Sequence, residues 1–138
     1  MDDELVMDAS VAVKCLIAEE GSVAALALSV SGPMIVAPAL VRLELASVIA
    51  RKTRKGEISA NTTARLLDDA ALLFDLTAPT EPLVARAMAL AVEHGFSVYD
   101  AIYLALAETR GTRVVTADVK LANRARAAGL GGLVEVLA

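Results

Sequence analysis

Aromatic side chains are scarce in this sequence: two Tyr, two Phe and no Trp among 138 residues, 3% of the chain. So few rings exclude a base-stacking platform for single-stranded nucleic acid. They also leave the core to Ala, Leu and Val within a composition that is 57% hydrophobic, which favours closely packed helices. One Cys and one His are present, too few for an internal disulfide or a Cys/His zinc site. Cys15 falls in the apolar run Val13 to Ile17 and reads as a small buried thiol rather than a nucleophile. His94 stands just before Gly95 and reads as part of a helix end. The sequence also lacks a glycine-rich phosphate loop, because residues 129–132 have no strand-glycine-helix context. No apolar run reaches the roughly 18 residues of a membrane span, and Met1-Asp2-Asp3-Glu4 is unlike a basic signal-peptide start. A cytoplasmic protein with no membrane segment is expected. The net charge of −4 argues against coating nucleic acid by charge alone, but not against an enzyme acting on it.

What is present fits a single domain over residues 1–138, long enough to bury about two-thirds of its unfolded surface. Its apolar excess is hard to hide completely, which points to a homodimer or a bound protein partner. Apolar runs alternate with helical periodicity along the whole chain. Leu5 to Met7 reads as a buried strand that delivers Asp8 and Ser10 at its end. Ser10 is expected to cap a helix through Val11 to Ala18, and Ser22 a second one to about Val30. Met34 to Ala37 reads as strand two, Ala39 to Lys55 as a helix stopped by Gly56, Ser59 to Leu73 as another helix, and Phe74 to Thr77 as strand three. A helix is expected over Glu81 to His94, and the next opens at Ser97 in a loose capping box with Asp100 and runs to about Thr109. Arg113 to Thr116 reads as strand four, Asp118 starts a last helix ending near Gly129, and Val134 to Leu137 reads as strand five. Strands alternating with helices imply an α/β fold with a mostly parallel sheet of about five strands.

Four carboxylates stand out. Glu44 has apolar helical neighbours Leu40, Val41 and Val48, so a carboxylate is placed on an expected buried face, where it would be protonated, bound to a metal or paired in a salt bridge with Arg42, Arg51 or Lys14. Asp8 and Asp118 directly follow apolar strands, and ligands gather outside the carboxyl ends of parallel strands. Asp100 begins the helix leading into strand four. Taken singly, Asp8, Asp100 and Asp118 also read as ordinary helix caps or first-turn acids. Together they form a hard-oxygen set suited to Mg²⁺ or Mn²⁺. The basic residues Arg51, Lys52, Arg54 and Lys55 suit the end of their own helix, or form a phosphate-steering rim with Lys14, Arg42, Lys120 and Arg124.

Val6-Met7-Asp8-Ala9-Ser10, Pro38-Ala39-Leu40 leading to Glu44, Tyr99 to Ala105 and Val115-Thr116-Ala117-Asp118 together resemble the PIN-domain family, and in particular the small VapC-type toxins of toxin-antitoxin pairs. The resemblance covers essentially the whole chain. It implies a three-layer α/β/α fold with strand order 3-2-1-4-5. It also implies a Mg²⁺- or Mn²⁺-dependent ribonuclease with Asp8, Glu44, Asp100 and Asp118 as acidic ligands and Ser10 and Thr116 in supporting places. Such proteins are homodimers whose site is covered by a cognate antitoxin. Ser47 stands where similar sequences often have Asn, and would support the acid less firmly; Cys15 stands where they often have Trp. The expected reaction is hydrolysis of an RNA phosphodiester by water activated at one or two metal ions, with Asp100 or Asp118 orienting or deprotonating it. The rivals are a Mg²⁺-dependent phosphatase or receiver-like phosphate site, against which Asp8-Ala9-Ser10 lacks a second acid two residues on and Asp2 and Asp3 precede the strand, and a catalytically weak binding module of the same fold.

Overall fold

Leu5, Val6 and Met7 are buried in the first strand, β1 (Glu4–Met7), as an unbroken apolar run requires when both faces of a sheet are covered. A computed structural model describes residues 3–138; Met1 and Asp2, part of the acidic start read above as unlike a signal peptide, lie outside them. Then follow α1 (Ala9–Leu16), α2 (Ser22–Val30), β2 (Met34–Pro38), α3 (Leu40–Arg54), α4 (Thr63–Ala71), β3 (Leu76–Ala78), α5 (Val84–His94), α6 (Val98–Arg110), β4 (Val114–Thr116), α7 (Val119–Ala127) and β5 (Val134–Val136). The strands pair in the order β3-β2-β1-β4-β5, all parallel, which is the order the family resemblance implies. Helix α6 packs on β1, β2 and β4 with α5 against it, while α1 packs on α2, α3 and α4. Among the described residues no helix is long and apolar enough to cross a membrane.

Several boundaries differ from those expected, each for a local reason. Helix α1 starts two residues early because the Asp8 side chain, not Ser10, accepts the Val11 N–H and caps it. It stops at Leu16, where Ile17 turns extended. The helix expected from Ser59 opens as a 3₁₀ turn, Ala60–Thr62, and becomes α-helical only at Thr63. Strand β3 begins two residues late because the Asp75 carboxylate itself accepts the Ile35 N–H at 2.8 Å, a place otherwise taken by a strand carbonyl. Pro82 lies in a 3₁₀ turn, Glu81–Leu83, so α5 starts at Val84. Gly95 ends α5 with φ of 78°, a left-handed value that favours glycine.

Candidate active site at the carboxyl edge of the sheet

The register Met7↔Val115 brings the ends of β1 and β4 side by side, so Asp8 and Thr116 leave the sheet at the same edge. Asp8 is 8% exposed and Thr116 fully buried. Ser10 donates from Oγ to Asp8 Oδ1 at 2.5 Å and accepts the Ala117 N–H at 2.9 Å. Its Oγ also lies 3.4 Å from Thr116 Oγ1, which accepts the Asp118 N–H at 3.0 Å. The two hydroxyls therefore lace the turn after β1 to the turn after β4 and fix Asp8 and Asp118 relative to each other. Asp8 and Asp118 are both N-caps, of α1 and α7, as their ordinary reading required. Asp118 takes the N–H groups of Lys120 and Leu121 on one oxygen, Oδ1, and stands exposed.

Asp100 enters from the first turn of α6, where Ser97 Oγ accepts its backbone N–H at 3.1 Å. One turn on, Tyr103 points along the same helix face and donates its hydroxyl to Glu44 Oε1 of α3 at 2.5 Å. The alternative reading of Glu44, a salt bridge to Arg42, Arg51 or Lys14, is absent among the described residues. Lys14 turns instead to Glu19, and Arg42 is exposed. Glu44 is also half-buried rather than fully inside, because Val41, Leu45 and Ile49 form the buried face of α3. Tyr103 was not picked out by sequence reasoning. Its only signal was a hydroxyl within the apolar run Ala101 to Ala107, all of it buried.

Charge follows geometry. Burial pushes the carboxyl groups of Asp8, Glu44 and Asp100 above their ordinary range. Neighbouring acids push further in the same direction: Asp100 acts on Asp8, Asp100 and Asp8 on Glu44, and Asp118 on Asp100. Hydroxyls oppose this at every acid, Ser10 and Thr116 at Asp8, Tyr103 at Glu44 and Ser97 at Asp100. Arg124 lowers Asp100 while donating to the Gly95 carbonyl. Tyr103 is itself raised by burial and by Glu44, so its hydroxyl remains a donor.

Asp8, Glu44 and Asp100 are thus coupled by charge across the sheet edge, with Asp118 acting on Asp100. Among the described residues, however, no three acidic, cysteine or histidine side chains close into a ready metal-binding group. Ser47 is exposed on α3 and makes no side-chain hydrogen bond among those described. His94 sits at the end of α5 beside Glu93 and Phe96, the helix end read from sequence, while Cys15 is half-buried rather than fully inside, with its thiol raised by burial.

Comparison with known proteins places this edge in context. Over 87 residues the chain is 31% identical to Ribonuclease VapC3 of Pyrobaculum aerophilum, a match spanning 62% of this chain and 66%, just under two-thirds, of that relative. Among solved structures it superposes on PAE2754 from Pyrobaculum aerophilum with a TM-score of 0.69 at 23% identity, covering 98% of this chain and 84% of that one. It also superposes on VapC20 of Mycobacterium tuberculosis, described as a toxin that cleaves the sarcin-ricin loop, with a TM-score of 0.65 at 20% identity over 91% and 95% of the two chains. A toxin-antitoxin complex from Klebsiella pneumoniae gives a TM-score of 0.58 at 19% identity, over 85% and 88% of the two chains. The PIN-domain profile itself matches residues 5–127, from β1 to the end of α7 and so across all four acids, and the chain belongs to the PIN-domain family.

Proposed function

We propose that this chain is a Mg²⁺- or Mn²⁺-dependent endoribonuclease acting as the toxin of a toxin-antitoxin pair, with Asp8, Glu44, Asp100 and Asp118 as its metal-holding acids. The observation that carries the proposal is a set of carboxyl groups gathered at one sheet edge, supplied with hydroxyl donors but, among the described residues, with no salt bridge to lysine or arginine. Such a set is costly unless a cation completes it. The donors are all hard oxygens, which fits a divalent ion of the Mg²⁺ class. When bound, that ion would polarise the phosphodiester and make water acidic enough to attack at neutral pH.

The chain's own residues supply the frame. Ser10 and Thr116 hold Asp8 in one orientation and tie it to the Asp118 turn. Tyr103 fixes one oxygen of Glu44 and leaves the other for the ion. Asp118, exposed at the mouth, is placed to orient the incoming water or phosphate. A cognate antitoxin covering the site, a homodimeric assembly and a single domain acting in the cytoplasm complete the proposal. The similarity to Ribonuclease VapC3 and the exposed Val23, Val30, Met88 and Val92 support it.

Cleavage of a structured RNA in Mg²⁺ or Mn²⁺ by the purified chain tests the reading. Asp8→Asn and Asp100→Asn are each expected to lower the rate by about 100-fold or more, the scale of losing one charge-stabilising group. Asn can still cap α1, so Asp8→Asn keeps its fold. Metal-dependent cleavage that persists unchanged in both variants would sink the assignment. Turnover of a simple phosphomonoester with RNA left intact would favour a phosphatase instead.

A further inference from the structure

Beside the acids lies a cleft of about 440 Å³, bounded by α1, the turn that follows it and the end of α3. Ser10 and Asp118 form its wall toward the acids, and Lys14, Arg51, Lys52 and Glu19 line the rest. We propose that this cleft holds a backbone phosphate of the RNA strand next to the one that is cut, with Lys14 and Arg51 as its contacts and Glu19 as an anionic placeholder. The inference rests on the ribonuclease reading of the acids and adds where the strand lies.

Three observations carry it. First, the two lysines are built into place rather than waving in solvent. The side chains of Lys14 and Lys52 are only 18% and 23% exposed. The stem of Lys14 crosses Gly21 so closely that a Cβ there would stand 2.9 Å from its Cδ, and Gly21 has φ of 91°, a value suited to glycine. Lys14 Nζ donates to the Glu20 carbonyl at 2.7 Å and to Glu19 Oε1 at 3.2 Å, which uses two of its three protons. The third has no acceptor among the described residues and can serve a ligand.

Second, Glu19 bridges the lysines. Its Oε2 lies 3.4 Å from Lys52 Nζ while Oε1 takes Lys14, so a carboxylate occupies the place where two ammonium groups would otherwise receive a phosphate oxygen. Third, the charge balance suits an anion arriving from outside. Lys52 is shared between Glu19 and Glu57, the latter at 3.6 Å, whereas Arg51 makes no ion pair among the described residues and is the cation of the cleft left for a ligand. A polyanion drawn to an acidic centre needs cations on its flank, and this is the basic side of the cleft that touches that centre through Ser10 and Asp118.

The test is the affinity of the full chain for a fluorescein-labelled RNA hairpin, read by anisotropy in EDTA over a range of salt. Lys14→Met and Arg51→Met are each expected to raise Kd about 5- to 10-fold and to flatten the salt dependence by roughly 0.7 to 1 in log-log slope. Glu19→Gln, which keeps its shape and loses its charge, is expected to tighten binding several-fold. Arg51 is exposed, so its variant folds whatever becomes of Lys14. Unchanged Kd and slope in both basic variants overturn the subsite, and a Glu19→Gln chain that binds no tighter overturns the placeholder. If the same variants weaken capture of an acidic protein partner and leave RNA affinity alone, the cleft belongs to that partner and the proposal falls. Binding is measured without cleavage, so a wild-type chain that cuts no RNA defeats the ribonuclease reading while this readout still decides the cleft.

Discussion

Strand β1 carries an acid at each end, and the two are treated in opposite ways. Glu4, at the start, is gripped by Arg110, whose Nε and Nη2 donate to its two oxygens at 2.9 and 2.5 Å. Thr112 donates to the Glu4 backbone carbonyl as well. The guanidinium holds the Glu4 carboxyl below its ordinary range. Asp8, just past the other end, receives hydroxyls and a backbone N–H but, among the described residues, no cation, and burial with the Asp100 charge pushes it up. An acid that serves the fold is neutralised by the fold. One left short of positive charge, and set among others in the same condition, is expected to be completed from outside.

Stability against pH separates the two ends most strongly. Asp8, Glu44 and Asp100 have raised values in the folded chain, so it binds their protons more tightly than the unfolded chain does. Their ionisation therefore lowers stability as pH rises from the ordinary carboxylate range through those raised values. In EDTA the melting temperature is expected to fall over that window, and Mg²⁺ at neutral pH is expected to restore it. At 100 times its Kd the ion adds about 2.7 kcal/mol, several degrees for a domain of this size. Asp100→Asn is expected to flatten the pH dependence and to reduce the response to Mg²⁺. A wild-type melting temperature that neither falls over this window nor responds to Mg²⁺ would show that the acids past the end of β1 are neutralised within the fold, as Glu4 is.

How far these features could be read without the fold depended on whether the signal was local. Asp8 and Asp118 were legible because an apolar run comes just before each, directly at Asp8 and with Ala117 between at Asp118, which places an acid near a strand end whatever the topology. Glu44 was legible from its helical neighbours, but its partner was not. Tyr103 lies 59 residues away, on a helix whose run of buried residues makes it look like one more piece of core. Strand order came from the family resemblance, since periodicity alone does not say which parallel strands are neighbours. The late start of β3 depended on a side chain, Asp75, replacing a carbonyl in the ladder, which no propensity anticipates.

Tyr103→Phe gives a smaller effect and asks whether the hydroxyl positions Glu44. Only the O–H is lost, so the core packing of a residue 2% exposed is kept. Losing a hydrogen bond to a charged group is expected to cost about 1.5–3 kcal/mol at most, less here because Glu44 is half-buried and water can replace the donor. Metal affinity is expected to weaken by about 10- to 100-fold, with cleavage largely recovered at saturating Mg²⁺. A purely structural role would lower the melting temperature and leave the metal titration where it was.

The smallest effect belongs to Glu4→Gln. The partner Arg110 is only partly covered, and ion pairs open to solvent contribute little. Because Glu4 is lowered in the folded chain, its contribution is present above its unfolded value and is lost as pH falls through the folded one. Wild type and Glu4→Gln are therefore expected to differ slightly in melting temperature at pH 7 and to converge in acid, the reverse of the trend at the other end of β1. RNA cleavage and the response to Mg²⁺ are expected to be unchanged, because the pair lies at the amino end of the strand whose carboxyl end carries Asp8. A loss of cleavage in Glu4→Gln comparable to that of Asp100→Asn would show that the whole strand, not its carboxyl edge, governs the site, and the contrast between the two acids would carry no functional meaning.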